Sequence, residues 1–504
     1  MSRISRRHLL QNSAGIGVFA YAATACSRNE TDNAPQAPTL MGDDGVATAS
    51  KINNGILSGS EAVDAAIARA EQMEPKLNAI VTTTYDQARE TAKSMDQGGA
   101  KGPMGGVPTL VKDLIDVTGV PTGFGSRAFA GYVAERQFPF VDNLEAMGVV
   151  SIGKSATPEF GLTATTEPLS SGITRNPWNL DRSSGGSSGG AASLVAAGVV
   201  PFAHASDGGG SIRIPASCCG TVGLKPSRDR FRPPRDERRM PVRISVQGVE
   251  SRTVRDTAAF LAAMEYPEGE GKLAPVGLVT GPSDKKLKIG LMRDSALDLP
   301  IDPQVIAVVD EVAATCEGLG HEIVPMTKNF DPVFSDHFLL LWAAMADGIL
   351  DVWEAGTGLT AGPDGFEKFT LGLRAHARAN QDRLQQTVLW LIAFAQQYRT
   401  LFEGVDVLLS PVLAAPPIPL GYLATDQDFD ETIAKLTAYA QFTAPANVSG
   451  APSVSLPLGM SSDGLPIGAM FSAMMGEEGM LLELAYALEA ATPWAGRKPA
   501  NYAL

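Results

Sequence analysis

The hydrophobic positions of this chain follow two alternating spacings. Short apolar runs, as expected of strands buried in a sheet, alternate with longer stretches whose apolar residues recur at helical spacing. This alternation favours an α/β fold in which helices cover both faces of a sheet. The predicted strands span residues 78–83, 107–111, 149–152, 199–203, 288–292, 322–325, 405–409, 453–458 and 467–471. The predicted helices span residues 58–74, 85–95, 140–147, 191–197, 303–319, 335–353, 366–379, 383–402 and 431–442, with a last one ending near residue 490.

The first amphipathic helix has boundary signals at both ends. Ser58 and Glu61 have the spacing of a capping box, in which each side chain accepts a hydrogen bond from the other's backbone N–H. Pro75 has no N–H to continue the helical hydrogen bonds, so the helix is predicted to end there. We interpret this helix as scaffold.

A glycine-rich stretch at residues 181–226 is the most distinctive part of the sequence. It sets Ser187 and Ser211 among glycines, with a helical run and a short apolar strand between them. Glycine buries no side chain, so clusters of it serve positions where the backbone needs unusual dihedral angles or must approach a ligand closely. A flexible Gly/Ser linker is the alternative, but linkers lack such flanking apolar runs. The stretch therefore predicts the floor of a catalytic site.

Lys112 lies at the end of an apolar strand, inside a segment bounded by glycine and proline. A lysine that emerges from a buried strand is costly unless it is neutral or paired. Asp113 and Asp116 are near enough in sequence to pair with it. Taken alone, the local pattern favours that pairing over a catalytic role.

Composition and charge exclude some function classes. The chain has 504 residues, enough for one large domain or two, and 44% of them are hydrophobic. Its net charge of −14 would repel nucleic-acid phosphates. The basic residues of segment 225–243 alternate with acidic ones around a Pro-Pro pair, which predicts a solvated surface loop. No nucleic-acid partner is expected.

The amino terminus differs in kind from the rest. Arg6 and Arg7 precede a modest apolar run that ends near Ala25, as in a twin-arginine export signal. Cys26 lies at either a cleavage site or a lipid-attachment site, although Ala23 replaces the usual leucine of the latter. We therefore predict an export signal at 1–26, a disordered tether at 27–45 and one catalytic domain at 46–504. The expected location is the periplasm or envelope, with membrane contact only through a lipid on Cys26.

Other reactive side chains offer weaker patterns. Cys218, Cys219 and Cys316 have no metal-binding spacing, so we expect three buried free thiols and no metal site. A G-x-S-x-G match at 185–189 lacks the preceding strand of a nucleophile elbow. Two S-x-x-K matches, at 151–154 and 283–286, are of a length expected by chance. The histidines have no local catalytic context, so lysine is the better candidate base.

Three motifs together resemble a known family. Lys112 in GVPTLVKD, Ser187 in GGSSGGAA and Ser211 in DGGGSIRIPASCCGTVGLKP are similar to the three elements of the amidase signature family, in its order and spacing. PANVSGAPSVSLPLG and GLPIGAMF near the end are similar to it as well, so the resemblance covers about residue 50 onwards. It implies one large α/β fold with a mixed, twisted central sheet, and hydrolysis of amides without a metal or cofactor.

The resemblance also implies a Ser–cis-Ser–Lys triad. Ser211 is then the nucleophile, which needs a base because an unassisted hydroxyl reacts poorly. Ser187, after a cis peptide bond with Gly186, relays the proton to Lys112, and Ser188 is the rival for that relay. Lys112 must be neutral to act as a base, which requires burial to lower its pKa.

The glycines before the nucleophile imply an oxyanion hole. The backbone N–H groups of Gly208, Gly209, Gly210 and Ser211 are expected to bind the developing negative charge of the carbonyl oxygen. Asp207 and Arg213 flank this loop, and we expect them to pair and support it without taking part in the reaction.

The substrate is less well specified. Segments 335–345 and 444–451 are candidates for the pocket, and Phe338, Trp342 and Met345 share one helical face. Such a stripe is more often core, and we favour that interpretation; Cys316 near a helix end is a further candidate for ligand contact. The wording around Ser211 resembles hydrolases of cyclic aminohexanoate dimers (nylon oligomers) and amidases of aryl amides or carbamates (urethanes). The alternatives are an exported solute-binding lipoprotein and an amidotransferase subunit.

Overall fold

The computed structural model describes residues 44–98, 102–232, 241–327 and 330–503. The predicted export signal, Cys26 and the predicted tether up to residue 43 lie outside these ranges and stay predictions. The predicted end of that tether is wrong for its last two residues, Asp44 and Gly45. Gly45 begins the first helix, and the Asp44 side chain caps it by accepting a hydrogen bond from the Ala47 N–H. The described residues from 44 onwards form one compact unit.

Each predicted helix and strand has a counterpart in the structure, which also contains elements that the sequence analysis did not predict. In chain order the helices and strands are α1 (Gly45–Asn53), α2 (Gly59–Leu77), β1 (Ile80–Thr83), α3 (Tyr85–Gly98), β2 (Pro108–Lys112), α4 (Pro139–Ala146), β3 (Val150–Ser155), β4 (Arg175–Asn176), β5 (Asn179–Ser183), α5 (Gly189–Ala196), β6 (Phe202–Asp207), α6 (Arg213–Cys219), β7 (Val222–Lys225), β8 (Val246–Ser251), α7 (Val254–Met264), β9 (Lys288–Leu291), α8 (Pro303–Gly318), β10 (Glu322–Pro325), α9 (Phe334–Thr357), α10 (Lys368–Ala379), α11 (Leu384–Thr400), β11 (Val407–Pro411), α12 (Phe429–Tyr439), α13 (Ala444–Ser449), β12 (Ser453–Met460), β13 (Pro466–Ala473) and α14 (Glu478–Ala491).

A mixed sheet of eight strands forms the centre, with the order β10-β9-β11-β13-β12-β7-β8-β6. β9 pairs in parallel with β10 and β11, and the remaining neighbours are antiparallel. A second sheet has the order β1-β3-β2, and β4 pairs with β5 in a two-stranded ribbon. The expected α/β fold with a large mixed central sheet is confirmed.

Helices cover both faces of the central sheet, as its side chains show. Along β13, Ile467 and Phe471 belong to a core that includes residues of α7, α8 and α14, whereas Met470 packs against α6 on the opposite face. This follows from the two-residue period of a strand, whose successive side chains point to opposite faces. Burying a side chain as large as Phe471 contributes about 1.5–3 kcal/mol, so both apolar faces favour a covering layer.

Several predicted boundaries are shifted by two or three residues, and two of the shifts have a clear physical cause. α2 continues through Pro75 to Leu77, where the fully buried Leu77 side chain packs in the core and Asn78 ends the helix in a left-handed conformation. One lost hydrogen bond in the last turn is outweighed by that burial. β6 begins at Phe202 rather than at residue 199, because Gly198 and the residues after it form the turn that reverses the chain.

The basic segment 225–243 is not simply a solvated loop. Its first part is buried: Lys225 is in strand β7, and Arg230 forms ion pairs with Glu478 and Glu265 inside the protein. Residues 233–240 lie outside the described ranges. Within the described ranges, no helix combines the length and apolar character needed to cross a membrane.

Candidate active site

Three separate segments carry the candidate catalytic side chains: Lys112 and Ser187 are in contact, and Ser211 lies in the wall of the neighbouring cavity. Lys112 is the last residue of β2, Ser187 lies two residues before α5, and Ser211 lies between β6 and α6. The peptide bond between Gly186 and Ser187 is cis, as the resemblance implies. The small sheet thus supplies the lysine, and the loop after an edge strand of the large sheet supplies the second serine.

The amine of Lys112 is surrounded by hydroxyl groups. Its Nζ lies 2.7 Å from Ser187 Oγ, 2.8 Å from Ser188 Oγ and 3.1 Å from Ser206 Oγ, and its side chain is fully buried. The pairing with Asp113 or Asp116 that the local sequence favours is wrong, because Lys154 occupies Asp113 at 3.2 Å. Lys112 therefore contacts three serines instead of a carboxylate.

Burial favours the neutral form of Lys112. It lowers the lysine pKa from its ordinary value of 10.5 to about 7, while the charges of Asp207 and Glu250 act in the opposite direction. Burial also raises the pKa of Glu250 well above its ordinary value. With a pKa of about 7, a large fraction of Lys112 near pH 7 is an uncharged amine able to accept a proton.

Ser187 and Ser188 differ in whether the hydroxyl proton is available to the lone pair of Lys112. Ser188 Oγ lies 3.2 Å from the Ser206 carbonyl, which can only accept, and 3.3 Å from the Ser206 N–H, which can only donate. The proton of Ser188 is therefore used at that carbonyl, and Ser188 can only accept from Lys112. Ser187 keeps its proton for the lysine lone pair.

Ser211 lies in the wall of a cavity of about 120 Å³, together with Gly186 and Gly209. The cavity wall thus contains both the candidate nucleophile and the residue whose cis peptide presents Ser187. Ser187 itself is buried beside Gly161, where an added Cβ would lie 3.0 Å from its Oγ. Bulk around Ser187 is tightly limited, which fixes its hydroxyl in position.

The glycine loop only partly matches the expected oxyanion hole. The Gly210 N–H donates to Asp207 Oδ1 at 2.7 Å, so it is already used, and the expectation for Gly210 is corrected. Its role is geometric: its φ of +139° is a glycine conformation, and a Cβ would lie 2.4 Å from the Thr443 hydroxyl. The N–H groups of Gly208, Gly209 and Ser211 have no acceptor among the residues that the structure describes, which leaves them as candidate donors.

Asp207 and Arg213 form the expected pair beneath this loop. The guanidinium binds the carboxylate with both Nε and one terminal nitrogen at 3.0 Å, and both side chains are fully buried. Burial alone would raise the pKa of Asp207, but Arg213 lowers it overall, well below its ordinary range. The ionised carboxylate then accepts the Gly210 and Ile212 N–H groups and fixes the turn that presents Ser211.

Sequence reasoning missed the residues that complete this network. Asn447 of α13 donates to Asp207 at 2.8 Å and accepts from Arg213 at 2.7 Å, and the Thr443 carbonyl accepts from Arg213 at 2.8 Å. Ser206, which contacts Lys112, was also missed. The signal for Asn447 was its place in PANVSGAPSVSLPLG, one of the motifs of the resemblance.

The cavity is largely apolar, and its polar lining side chains, such as Thr163 and Gln441, are uncharged. No charged side chain lines it within the described part of the chain, and its apolar residues include Leu162, Ile214, Phe334, Phe338, Trp342 and Leu436. The core interpretation of the aromatic stripe is incomplete for Phe338 and Trp342, which pack against the core and also line the cavity. Their rings lie 3.2 and 3.3 Å from a Cβ built at Gly209 and Gly208. The third, Met345, packs against the core as expected.

The remaining predictions for the pocket are correct for some residues and wrong for others. Ala444 and Pro445 line the cavity, whereas the rest of segment 444–451 includes Asn447, which faces the Asp207 network. Cys316 is a buried residue of α8 that packs in the core and does not line the cavity. Cys218, Cys219 and Cys316 are free and buried, as predicted. In the part of the chain with described coordinates, no group of three His, Cys, Asp or Glu side chains is placed to hold a metal ion.

Known proteins share this architecture. A family model described as "Amidase" matches residues 61–482. The putative amidase AmiC of Mycobacterium bovis is 42% identical, over 90% of this chain and 96% of its own. The structure of a 6-aminohexanoate cyclic dimer hydrolase superposes with a TM-score of 0.83 at 31% identity, covering 91% of this chain and 99% of that one. A bacterial aryl acylamidase structure gives 0.81 at 28% identity, covering 90% and 99%.

These likenesses extend over nearly the whole described chain and agree with the motifs around Lys112, Ser187 and Ser211. The protein belongs to the amidase signature family and is an amide hydrolase.

Proposed function

We propose that this protein hydrolyses uncharged, largely apolar carboxylic amides through an ester formed with Ser211. The observation that carries the proposal is the 2.7 Å contact between the buried Lys112 amine and Ser187, at the edge of the cavity that Ser211 lines. A general base must lie within hydrogen-bond reach of the proton it removes, and its pKa should lie near the working pH. Lys112 meets both conditions through Ser187.

In the first half of the reaction, Ser211 Oγ attacks the amide carbonyl carbon. Its proton passes to Ser187, whose own proton passes to the neutral Lys112. The carbonyl oxygen becomes negatively charged, and the free N–H groups of Gly208, Gly209 and Ser211 are the donors available to it. The tetrahedral adduct collapses when Lys112 returns the proton through Ser187 to the nitrogen, the C–N bond breaks and the amine leaves.

In the second half, a water molecule attacks the Ser211 ester. Its proton follows the same path to Lys112, and the second tetrahedral adduct releases the carboxylic acid. Ser211 Oγ regains a proton from Lys112 through Ser187, so the site returns to its starting state. Both halves use one lysine and one relay, without any additional charged side chain.

The cavity supports the choice of substrate. Its walls have no charge to pair with an ammonium or carboxylate, and burying an unpaired ion costs several kcal/mol. Two similar proteins bear names that point to uncharged amides, one a cyclic dimer hydrolase and the other an aryl acylamidase. We therefore infer that the substrate is an anilide, a linear or cyclic oligoamide, or a carbamate, and that its acyl group near the cleaved bond is neutral.

A matched substrate pair tests this proposal. We expect an uncharged acyl anilide to be hydrolysed with a kcat/KM at least about 100-fold higher than the same anilide carrying a carboxylate at the end of a short acyl chain, because several kcal/mol of desolvation correspond to that factor. The measurement is release of the aniline by absorbance.

A neutral methyl ester of the same acid is the control for size. If this methyl ester releases aniline with the kcat/KM of the uncharged anilide, the charge alone explains the lower kcat/KM of the acid. Equal rates for the acid and its ester would contradict a neutral cavity, and no hydrolysis of any anilide, oligoamide or carbamate would remove the substrate class. No feature of the described site favours a solute-binding protein or an amidotransferase subunit.

We also propose that residues 1–26 direct export by the twin-arginine route, leaving the protein in the periplasm or envelope. The support is the Arg6–Arg7 pair ahead of a short apolar run. Cell fractionation should find the full chain outside the cytoplasm, and a variant with Arg6→Lys and Arg7→Lys inside it. Cys26→Ser is the control for a lipid anchor, since its release from the membrane fraction would support lipidation. A parent protein found in the cytoplasm would contradict export.

A further inference from the structure

Two edge strands meet beside Lys112. β2 is the edge of the three-stranded sheet, β6 is the edge of the eight-stranded sheet, and the two strands lie alongside each other. They are not joined as neighbours in either sheet. The position of the lysine relative to the nucleophile loop therefore depends on how these two edges are held together.

Side chains make that connection. Thr109 donates from its hydroxyl to the Phe202 carbonyl at 3.0 Å, at the beginning of the contact. At its end, the backbone N–H of Lys112 donates to Nδ1 of His204 at 3.1 Å. The imidazole thus takes the place that a backbone carbonyl would have if β2 and β6 formed one continuous sheet.

The contacts of His204 define its tautomer. A backbone N–H can only donate, so Nδ1 carries the lone pair. Nε2 then carries the proton, and it lies 2.9 Å from Oε1 of Gln247 on β8, which can accept it. The ring is held from both ends in one orientation, since each nitrogen has one suitable partner.

The surroundings keep this imidazole uncharged. The ring is fully buried, with the Phe140 ring 5.2 Å away between centroids. Burial lowers the pKa of His204 to about 3; Gln247 opposes the shift, and the positive charges of Lys112 and Lys154 add to it. The acceptor at Nδ1 is therefore available at every pH at which the enzyme would work.

We propose that His204 is a positioning residue for Lys112, holding its backbone so that its amine meets Ser187. The proposal rests on the proposed role of Lys112 as the base. β6 contacts the lysine at two points, because His204 binds its N–H and Ser206, two residues later, lies 3.1 Å from its Nζ. Residues two apart on a strand face the same side, which explains why one strand can supply both contacts.

A pair of substitutions tests this role. His204→Leu removes the acceptor, and we expect kcat to fall roughly 10- to 100-fold, as for a misplacement of about 1 Å. KM should stay within about threefold, because the residue does not line the cavity. His204→Asn offers an amide oxygen near the position of Nδ1, and it should recover most of the lost kcat.

Thr109→Val is the matched control. It removes another hydrogen bond between β2 and β6 at nearly constant volume, away from the lysine, and it should keep kcat within about threefold of the parent value. A kcat for His204→Leu equal to that of the parent protein would overturn the proposal. So would a loss that His204→Asn shares in full or that Thr109→Val reproduces.

A measurement without substrate covers the case in which the variants do not fold. Nitrogen-15 NMR of the full chain labelled at histidine should show His204 with a proton on Nε2 and none on Nδ1 between about pH 5 and 9. A protonated Nδ1 would overturn the proposal directly. If Lys112 instead proves dispensable for activity, the proposed function fails, whereas the tautomer still reports whether the contact exists.

Discussion

Replacing Ser211 with alanine is expected to lower kcat by roughly 10⁴-fold or more, because the loss of a nucleophile removes the covalent route entirely. Folding should be nearly unchanged, since the hydroxyl lies at the cavity wall and the turn around it is held by Asp207. The measurement is steady-state hydrolysis of an uncharged anilide, with circular dichroism to compare the folded states.

Ser217 offers a matched control for this substitution. It lies on α6, directly after the Ser211 loop, where its hydroxyl accepts from the Gly468 backbone and does not face the cavity. Ser217→Ala should keep kcat within about threefold of the parent value. A fluorophosphonate probe should label the Ser217→Ala variant, which retains Ser211, but not the Ser211→Ala variant. A Ser211→Ala rate within tenfold of the parent would remove the nucleophile assignment, and absence of labelling in the folded parent protein would favour a binding protein.

Replacing Lys112 with methionine should lower kcat by roughly 10²–10⁴-fold at pH 7, the usual contribution of a general base. Methionine nearly preserves the volume, so the buried site should stay packed. In the parent protein, the base must be neutral, and the pKa of Lys112 is lowered by burial to about 7. Activity should therefore rise with pH through a midpoint near 7 and fall as the pH drops and the amine is protonated.

Lys225 is a demanding control for that pH dependence. It is also fully buried, and burial, with the neighbouring Arg213 charge, lowers its pKa to about 7 as well. Its amine donates to the Pro226 carbonyl at 2.9 Å. Lys225→Met should keep the midpoint near pH 7, whereas Lys112→Met should lose it and gain activity only at high pH, where hydroxide replaces the base. If only Lys225→Met loses the midpoint near pH 7, the titrating group is Lys225 and not Lys112.

The local parts of the fold and site could be predicted from the sequence. Strands and helices follow the spacing of apolar residues, and Lys112, Ser187 and Ser211 stand out because glycine and a strand-end lysine are unusual there. The Asp207–Arg213 pair was within reach, since its partners are six residues apart. Each of these features depends on neighbours in the chain.

Apart from the triad that the resemblance implies, contacts between distant segments could not be predicted. Asn447 is 240 residues from Asp207, and His204 is 92 residues from Lys112. Which way an aromatic stripe faces depends on the helix that packs behind it, so Phe338 and Trp342 looked like core. The use of the Gly210 N–H by Asp207 depends on a loop conformation that residue types alone do not define.

The reactive side chains all lie between residues 112 and 211, yet their support comes from the opposite end of the chain. Arg213, at the base of the nucleophile loop, binds the Thr443 carbonyl, Asn447 and Ser453. A shortened protein that ended before residue 443 would keep every reactive group and lose this foundation. Transferring the catalytic centre to another protein would therefore require both the segment that carries residues 112–213 and the segment that carries Thr443, Asn447 and Ser453, in their present relative position.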